Sequence, residues 1–338
     1  MPKRLLHYLG IAVSLGVFVA AVWALQHMLR DLEWEELGRQ LSSIPVANVG
    51  LSLLFTTFAY LVLTIYDTTA FSYIGRHVAY GRVAFVSFLS YAFSHNLGFG
   101  GLTGGAVRYR FYSAWGVPAL DIAKVILFAG AAYFLGAFAV AGGLILVNER
   151  TLAEVTDLPA WAISTVGILS LIGGCLYLLW SAAGRPIIRL RATIFPPPAL
   201  RIAIAQLTVA CMEWGFASAA LYWLLPSQVG IDYWHFVGIY IIAYIAGMIS
   251  HVPGGLGVLE TVILLLLPET VPKEAVVAAM ISYRAVYFVL PLLIAATLFL
   301  IFEIRVGHLQ AGNLRRLLHP KQVWRDRDRS GRSPDKRS

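Results

Sequence analysis

The chain has 338 residues, 59% apolar and only 13% charged, with 26 Lys and Arg against 18 Asp and Glu for a net charge of +8. This mix lies far from that of soluble globular domains and excludes an ordinary water-soluble enzyme. Apolar stretches of about 18 or more residues recur from end to end, so the chain reads as a polytopic membrane protein. Its basic residues follow the pattern of cytoplasmic loops rather than that of a nucleic-acid surface.

Pro2-Lys3-Arg4 precede an apolar run to Leu25. The run is about 20 residues, longer than a ~7–15-residue signal core, and reads as a retained membrane helix over 5–28. Residues 31–44 alternate Leu32, Trp34, Leu37 and Leu41 with Glu33, Glu35, Glu36 and Arg39, which suits a short interfacial helix. A helix over 46–74 follows, then an apolar piece over 83–97. There the chain meets Ser94-His95-Asn96-Leu97-Gly98-Phe99-Gly100-Gly101, then Leu102-Thr103-Gly104-Gly105 and Arg108-Tyr109-Arg110 in a short piece over 102–115. Helices are expected over 119–147 and 160–182, separated by an acidic loop.

Residues 184–201 carry Arg185, Arg189, Arg191 and Arg201 with Pro196-Pro197-Pro198 and read as a rigid basic connector. A helix over 201–225 and an apolar piece over 233–250 lead to a second glycine turn, Ser250-His251-Val252-Pro253-Gly254-Gly255-Leu256-Gly257, with Glu260 just after it. A short piece over 258–267, a loop over 268–274 and a helix over 275–303 complete the membrane part. The tail over 306–338 is basic and reads as disordered past about 320. Cys175 and Cys211 both fall in apolar helices and offer neither a disulfide framework nor a metal spacing.

Bare backbone cannot face lipid, because its polar groups would go unpaired; irregular backbone at membrane depth must sit inside protein or line a polar cavity. Two broken segments in matching places are the best sequence pointer to a transporter's binding site. Suppose the N-terminus is cytoplasmic and each glycine segment is a re-entrant hairpin. The outside loops then hold four basic residues (Arg30, Arg39, Arg150, Lys273) and ten acids (Asp31, Glu33, Glu35, Glu36, Glu149, Glu154, Asp157, Asp232, Glu269, Glu274). That asymmetry satisfies the positive-inside rule. An odd number of spans between the hairpins makes them enter from opposite faces.

The expected fold is therefore all-α: about six full transmembrane helices plus two re-entrant glycine-broken hairpins in an inverted repeat. The repeat units are about 46–147 and 201–303 within one transmembrane domain, 1–305, followed by a basic cytoplasmic tail, 306–338. Both termini are expected on the cytoplasmic side.

Six side chains are candidate substrate ligands. Glu213 sits in the middle of its helix, where a charged carboxylate costs about 2.5–3.5 kcal/mol on insertion scales. It either faces a cavity or cation, or is protonated and bonded to a neighbouring helix. Arg284 has Glu213 and Glu260 as natural partners, and its forked donors match phosphate oxygens. Arg108 lies near the Gly104-Gly105 break, where free N–H groups at a helix start would favour an anion; alternatively Arg108 and Arg110, about 200° apart on a helix, both snorkel to headgroups. Glu260 complements a helix dipole. His95 and His251 occupy equivalent places and bond either a substrate or freed carbonyls. An Asp67–Lys124 pair is a weaker possibility. The glycine turns are assigned to Gly98, Gly100, Gly101, Gly104, Gly105, Gly254, Gly255 and Gly257. No HExxH, GxSG or GxxxxGK[ST] motif occurs, so no catalytic residue, metal or cofactor is assigned.

The motifs Ser94-His95-Asn96-Leu97-Gly98-Phe99-Gly100 with Leu102-Thr103-Gly104-Gly105-Ala106-Val107-Arg108-Tyr109-Arg110, and His251-Val252-Pro253-Gly254-Gly255-Leu256-Gly257-Val258-Leu259-Glu260, resemble the transmembrane region of the lysylphosphatidylglycerol synthase/flippase family, the multiple peptide resistance factors. The resemblance covers about 5–305. It implies a membrane region that moves an aminoacylated anionic phospholipid between leaflets, while a soluble domain in full-length members makes that lipid. Because the sequence ends at Ser338, synthase activity is not expected and the lipid is open: an aminoacylated phospholipid, another phospholipid or an isoprenoid-linked lipid. The expected function is a flippase-like lipid translocase of a bacterial cytoplasmic (inner) membrane, whose partners are membrane phospholipids. Two rivals stand beside it: a scaffold for a separately encoded lipid-synthesis enzyme, and an intramembrane lipid transferase using His95, His251, Glu213 and Glu260. No nucleic-acid partner is expected, and the oligomeric state is open.

Overall fold

The computed structural model describes residues 34–97, 100–147, 149, 152–153, 159–184, 188–190, 193–250, 252–268 and 270–318. The expected span at 5–28, Gly98, His251 and residues 319–338 lie outside them. The chain forms two units, Met1–Leu292 and Leu293–Ser338, and both glycine turns belong to the first.

The protein is an all-α polytopic membrane protein. Among the described residues, five helices are long and apolar enough to cross a membrane: α2 (Val46–Tyr73), α5 (Ala119–Val147), α6 (Ala160–Ala183), α7 (Leu200–Tyr222) and the continuous stretch Lys273–Arg305. That stretch comprises α10 (Lys273–Tyr283), a π-helical segment (Arg284–Val289) and the start of α11 (Leu290–Leu318). Prolines open several of these helices: Pro45 precedes α2, Pro159 precedes α6 and Pro272 precedes α10. A proline there has no N–H to leave unpaired, and its fixed φ suits a helix start.

Short helices fill the rest. α1 (Trp34–Ser43) is amphipathic; it turns Leu37 onto Ala278 of α10 and leaves Trp34 exposed. α3 (Tyr80–Leu97) and α4 (Gly100–Ala114) pack together as one helical hairpin, and α8 (Tyr233–Ser250) and α9 (Val258–Leu266) as another. Asp232 caps α8, accepting from Trp234 N at 2.9 Å and His235 N at 3.2 Å. The adjacent His235 side chain holds the Asp232 carboxyl below its ordinary range. Each hairpin is thus flanked by long helices, and the leading long helices, α2 and α7, pack along each other.

Three local differences from the sequence reading have clear causes. The 184–201 connector contains a two-stranded antiparallel pair, β1 (Ile188–Leu190) with β2 (Thr193–Phe195), built from β-branched and aromatic residues ahead of the prolines. The last long helix starts at Lys273 rather than 275, because Pro272 sets the entry. Gly104-Gly105 is no break. Both residues lie inside α4, which begins at Gly100. A Cβ at Gly104 would stand 2.3 Å from Ser94 Oγ and 3.1 Å from Ser90 O, so this glycine is where α3 and α4 close on each other.

Helix contacts in a membrane rely on close approach of small residues. The tightest is between α5 and α7: a Cβ on Gly136 would lie 2.1 Å from Ala210 Cβ. Gly136→Ala therefore has to push the two helices apart. We expect a loss of about 1–3 kcal/mol, as for other overpacked cores, read as a lower melting temperature in detergent. An unchanged melt would show that the two helices do not meet there.

Candidate functional site

Two ion pairs tie the hairpins to their neighbouring long helices. In the first half, Arg108 of α4 grips Asp67 of α2 with both arms: Nε donates to Oδ2 at 2.9 Å and Nη2 to Oδ1 at 2.8 Å. Tyr112 Oη donates to the same Oδ2 at 3.1 Å, and the guanidinium lies 4.8 Å from the centre of the Tyr91 ring. Asp67 is fully buried and Arg108 nearly so. A buried pair of this kind is tolerable only because geometry and extra hydrogen bonds replace lost hydration. The alternative Asp67–Lys124 pair does not form. Lys124 Nζ is 3.7 Å from Asp121, one turn away on its own helix, because Arg108 has taken the carboxylate. Nor does Arg108 sit at a helix start: it is eight residues into α4.

In the second half, the backbone turns at Gly254, Gly255 and Gly257 with φ of +60°, +59° and +80°, a region side chains rarely allow. Glu260, in the first turn of α9, accepts from Gly257 N at 2.8 Å and pairs with Arg284 Nε. Arg284 Nη1 donates to Gly254 O at 2.9 Å, its guanidinium lies 5.2 Å from the Phe288 ring centre, and its buried Nη2 has no hydrogen-bond partner among the described residues. Of the two acids suggested for Arg284, Glu260 is the one it meets.

The two turns come together. His95 O and Asn96 O lie 3.5 and 3.8 Å from where a Gly254 Cβ would stand. Asn96 Nδ2 donates to Ala92 O at 2.8 Å and to Phe288 O at 3.1 Å, and Tyr60 Oη donates to Tyr287 O at 3.2 Å. Both carbonyls belong to the π segment, whose wider winding frees backbone groups from the usual ladder; such segments recur at functional sites. The sequence offered no signal for it.

Between the turns lies a cavity of about 580 Å³. Its walls are Tyr91, Ser94 and His95 of α3, Leu102 and Arg108 of α4, Ile126, Gly130, Tyr133 and Phe134 of α5, Tyr244, Gly247 and Met248 of α8, then Val252, Gly254, Gly255, Leu259 and Phe288. The lining is mainly apolar and aromatic, with Arg108 as its one cation among the described residues. Arg284 stands behind Gly254 rather than on the wall. His95 stacks on Tyr287 at 5.9 Å, and its buried Nδ1 lacks a partner among the described residues. Glu213 is buried behind the wall. Arg110 is only partly buried and does not line the cavity, as the helical angle anticipated. Gly100, Gly101 and Gly105 are helical residues of α4.

Sequence reasoning missed the tyrosines. Tyr240 with Tyr244, and Tyr283 with Tyr287, are each four apart on one helix face, a spacing that could have marked them. No cluster of three His, Cys, Asp or Glu suited to a metal occurs among the described residues.

Fold and site together define a polytopic helical membrane protein with a polar-edged cavity where two broken hairpins meet. The family model for the lysylphosphatidylglycerol synthase TM region matches residues 9–295, and the chain belongs to that family. It is 32% identical over 283 residues to the uncharacterized protein slr0712 of Synechocystis sp., covering 83% of this chain and 87% of that one. It is 29% identical over 303 residues to the inner membrane protein YbhN of Escherichia coli, covering 88% of this chain and 93% of that one. Phosphatidylglycerol lysyltransferase of Staphylococcus aureus strain MRSA252 is 25% identical over 303 residues, 88% of this chain but only 34% of that protein. The family match covers the membrane region, and no catalytic domain is among what is matched.

Proposed function

We propose that this chain is a flippase-like lipid translocase that moves an anionic or aminoacylated phospholipid, or a related lipid, between the leaflets of a bacterial inner membrane. The observation that carries the reading is the cavity formed where the two glycine turns meet, with Arg108 on its wall. An apolar, aromatic chamber with one guanidinium on its wall, whose Nη1 is not used by Asp67, suits a phosphate-bearing headgroup whose acyl chains stay in the bilayer. Arg284 and Glu260 hold the Gly254 turn from behind, so a shift of that turn would bring the spare Nη2 donors of Arg284 to the headgroup. His95 and Ser94 supply further polar contacts. The same reading makes the two hairpins re-entrant and inverted, with both termini cytoplasmic. The helix–hairpin–helix order of each half and the excess of basic residues in one set of loops support this topology. No chemical step is assigned: among the described residues His95 is not hydrogen-bonded to Glu213 or Glu260, and His251 lies outside them.

The test is a vesicle assay with the full chain and a panel of headgroup-labelled phospholipids. Faster leaflet exchange of anionic or aminoacylated lipids than in empty vesicles is expected. Folded protein that exchanges no lipid of the panel would refute the proposal.

A further inference from the structure

Glu213 has no role in holding either turn, yet it is the one carboxylate at the centre of α7, 2% exposed, with Oε2 lacking any partner among the described residues. A buried carboxylate normally acquires a cation or a full set of donors. Here the groups that face it are phenols. α2 contributes Tyr60 and Tyr66, α3 Tyr91 and α5 Tyr133. From the other half come Tyr240 and Tyr244 of α8 and Tyr283 and Tyr287 at the entry to the π segment. The Tyr287 hydroxyl is placed to donate to the Glu213 carboxyl. On α7 itself the neighbouring titratable group is Cys211, and on α6 Tyr177 bonds Gln206, about two turns away on α7. Among the described residues no Lys, Arg or His pairs with Glu213.

The phenols also connect Glu213 to the cavity. Tyr91, Tyr133 and Tyr244 lie on the cavity wall and around the carboxylate, and the Trp214 ring next to Glu213 meets the Tyr133 ring at 5.6 Å and the Tyr244 ring at 5.1 Å. Hydroxyls in sequence can hand a proton inward, each releasing one as it receives one, so that none changes its own state. Overall the carboxylate gains one proton from water in the cavity and becomes a neutral acid, or returns it there, while each hydroxyl between them breaks one O–H bond and forms another.

We propose that Glu213 is a proton-binding site coupled to the cavity, so that occupation of the cavity by an anionic headgroup and protonation of Glu213 depend on each other. This rests on the translocase reading for its physiological use, but not for its chemistry. A headgroup anion disfavours a second negative charge behind the wall, so binding draws a proton in, and departure releases it. By linkage, the same coupling makes headgroup affinity depend on pH.

The primary experiment follows proton exchange with a pH-indicating dye while short-chain phosphatidylglycerol is added to the detergent-solubilised full chain, at an alkaline pH where Glu213 starts ionised. Net proton uptake is expected for the wild type and none for Glu213→Gln, which has the shape of the protonated acid and should fold. Tyr244→Phe should take up the same proton more slowly. Equal uptake by wild type and Glu213→Gln, or none by the wild type while lipid binds, would overturn the proposal. If lipid does not bind at all, the coupling is overturned, and a pH titration of the carboxyl infrared band, present in the wild type and lost in Glu213→Gln, then shows only whether Glu213 binds a proton. The translocase reading is judged separately, by leaflet exchange under an imposed pH gradient. There, wild-type exchange should respond severalfold to the gradient, and Glu213→Gln exchange should not.

Discussion

Asp67→Asn is expected to be the most damaging single substitution in the membrane region. It leaves the Arg108 guanidinium buried without its carboxylate, and leaves one acceptor oxygen where Arg108 and Tyr112 share two. Removing one partner of a buried pair costs about 3–5 kcal/mol, because the other charge remains uncompensated. In detergent the melting transition should fall steeply, and α4 should become open to proteolysis. Asp67→Asn combined with Arg108→Gln should recover much of that loss, since two neutral amides can share the site. A double variant no better than the single one would show that the pair matters for something besides charge balance. Arg108→Lys opposite the intact Asp67 should also destabilise, because an ammonium cannot span both carboxylate oxygens.

Arg284→Ala is expected to have the largest effect on transport. The side chain links three things: Glu260 at the start of α9, the Gly254 carbonyl in the turn, and the Phe288 ring of the π segment. Losing a hydrogen bond to a charged group costs roughly 1.5–3 kcal/mol. If that energy holds the turn in its working geometry, exchange should slow by about ten- to a hundredfold, at about 1.4 kcal/mol per decade. Stability should change less than in Asp67→Asn, since Glu260 keeps its bond to Gly257 N and is only partly buried. Glu260→Gln should slow exchange in the same direction but less, because Arg284 would retain Gly254. Vesicle exchange rates beside detergent melts separate the two effects.

Much of the fold was legible because its signals are local. Long apolar runs after Pro45, Pro118 and Pro159 became helices within a residue or two of where composition put them. The second glycine turn was legible for the same reason: Pro253-Gly254-Gly255 cannot continue a helix comfortably. Gly104-Gly105 misled because a glycine pair has two uses. It can break a helix, or it can let a neighbour approach, and only the position of Ser94 across the hairpin decides. The partner of Arg108 was hidden for a related reason. Asp67 is 41 residues away, and helical phase alone cannot say which of several polar groups one turn apart will face it. The π segment, which Asn96 of the first turn meets through Phe288 O, left no composition signal. The tyrosines around Glu213 were visible as residues, but their convergence from six helical segments is a property of the packing.

The central claim is that a lipid headgroup occupies the chamber between the two turns. The measurement that tests it most directly uses phosphatidylglycerol with a photoreactive headgroup, followed by mapping of the labelled residues. The account predicts label on Ser94, Tyr133 and Tyr244, competed by unlabelled anionic phospholipid and diminished in Arg284→Ala. Label confined to outward-facing residues such as Leu127 and Leu169, equal in wild type and variant, would contradict it.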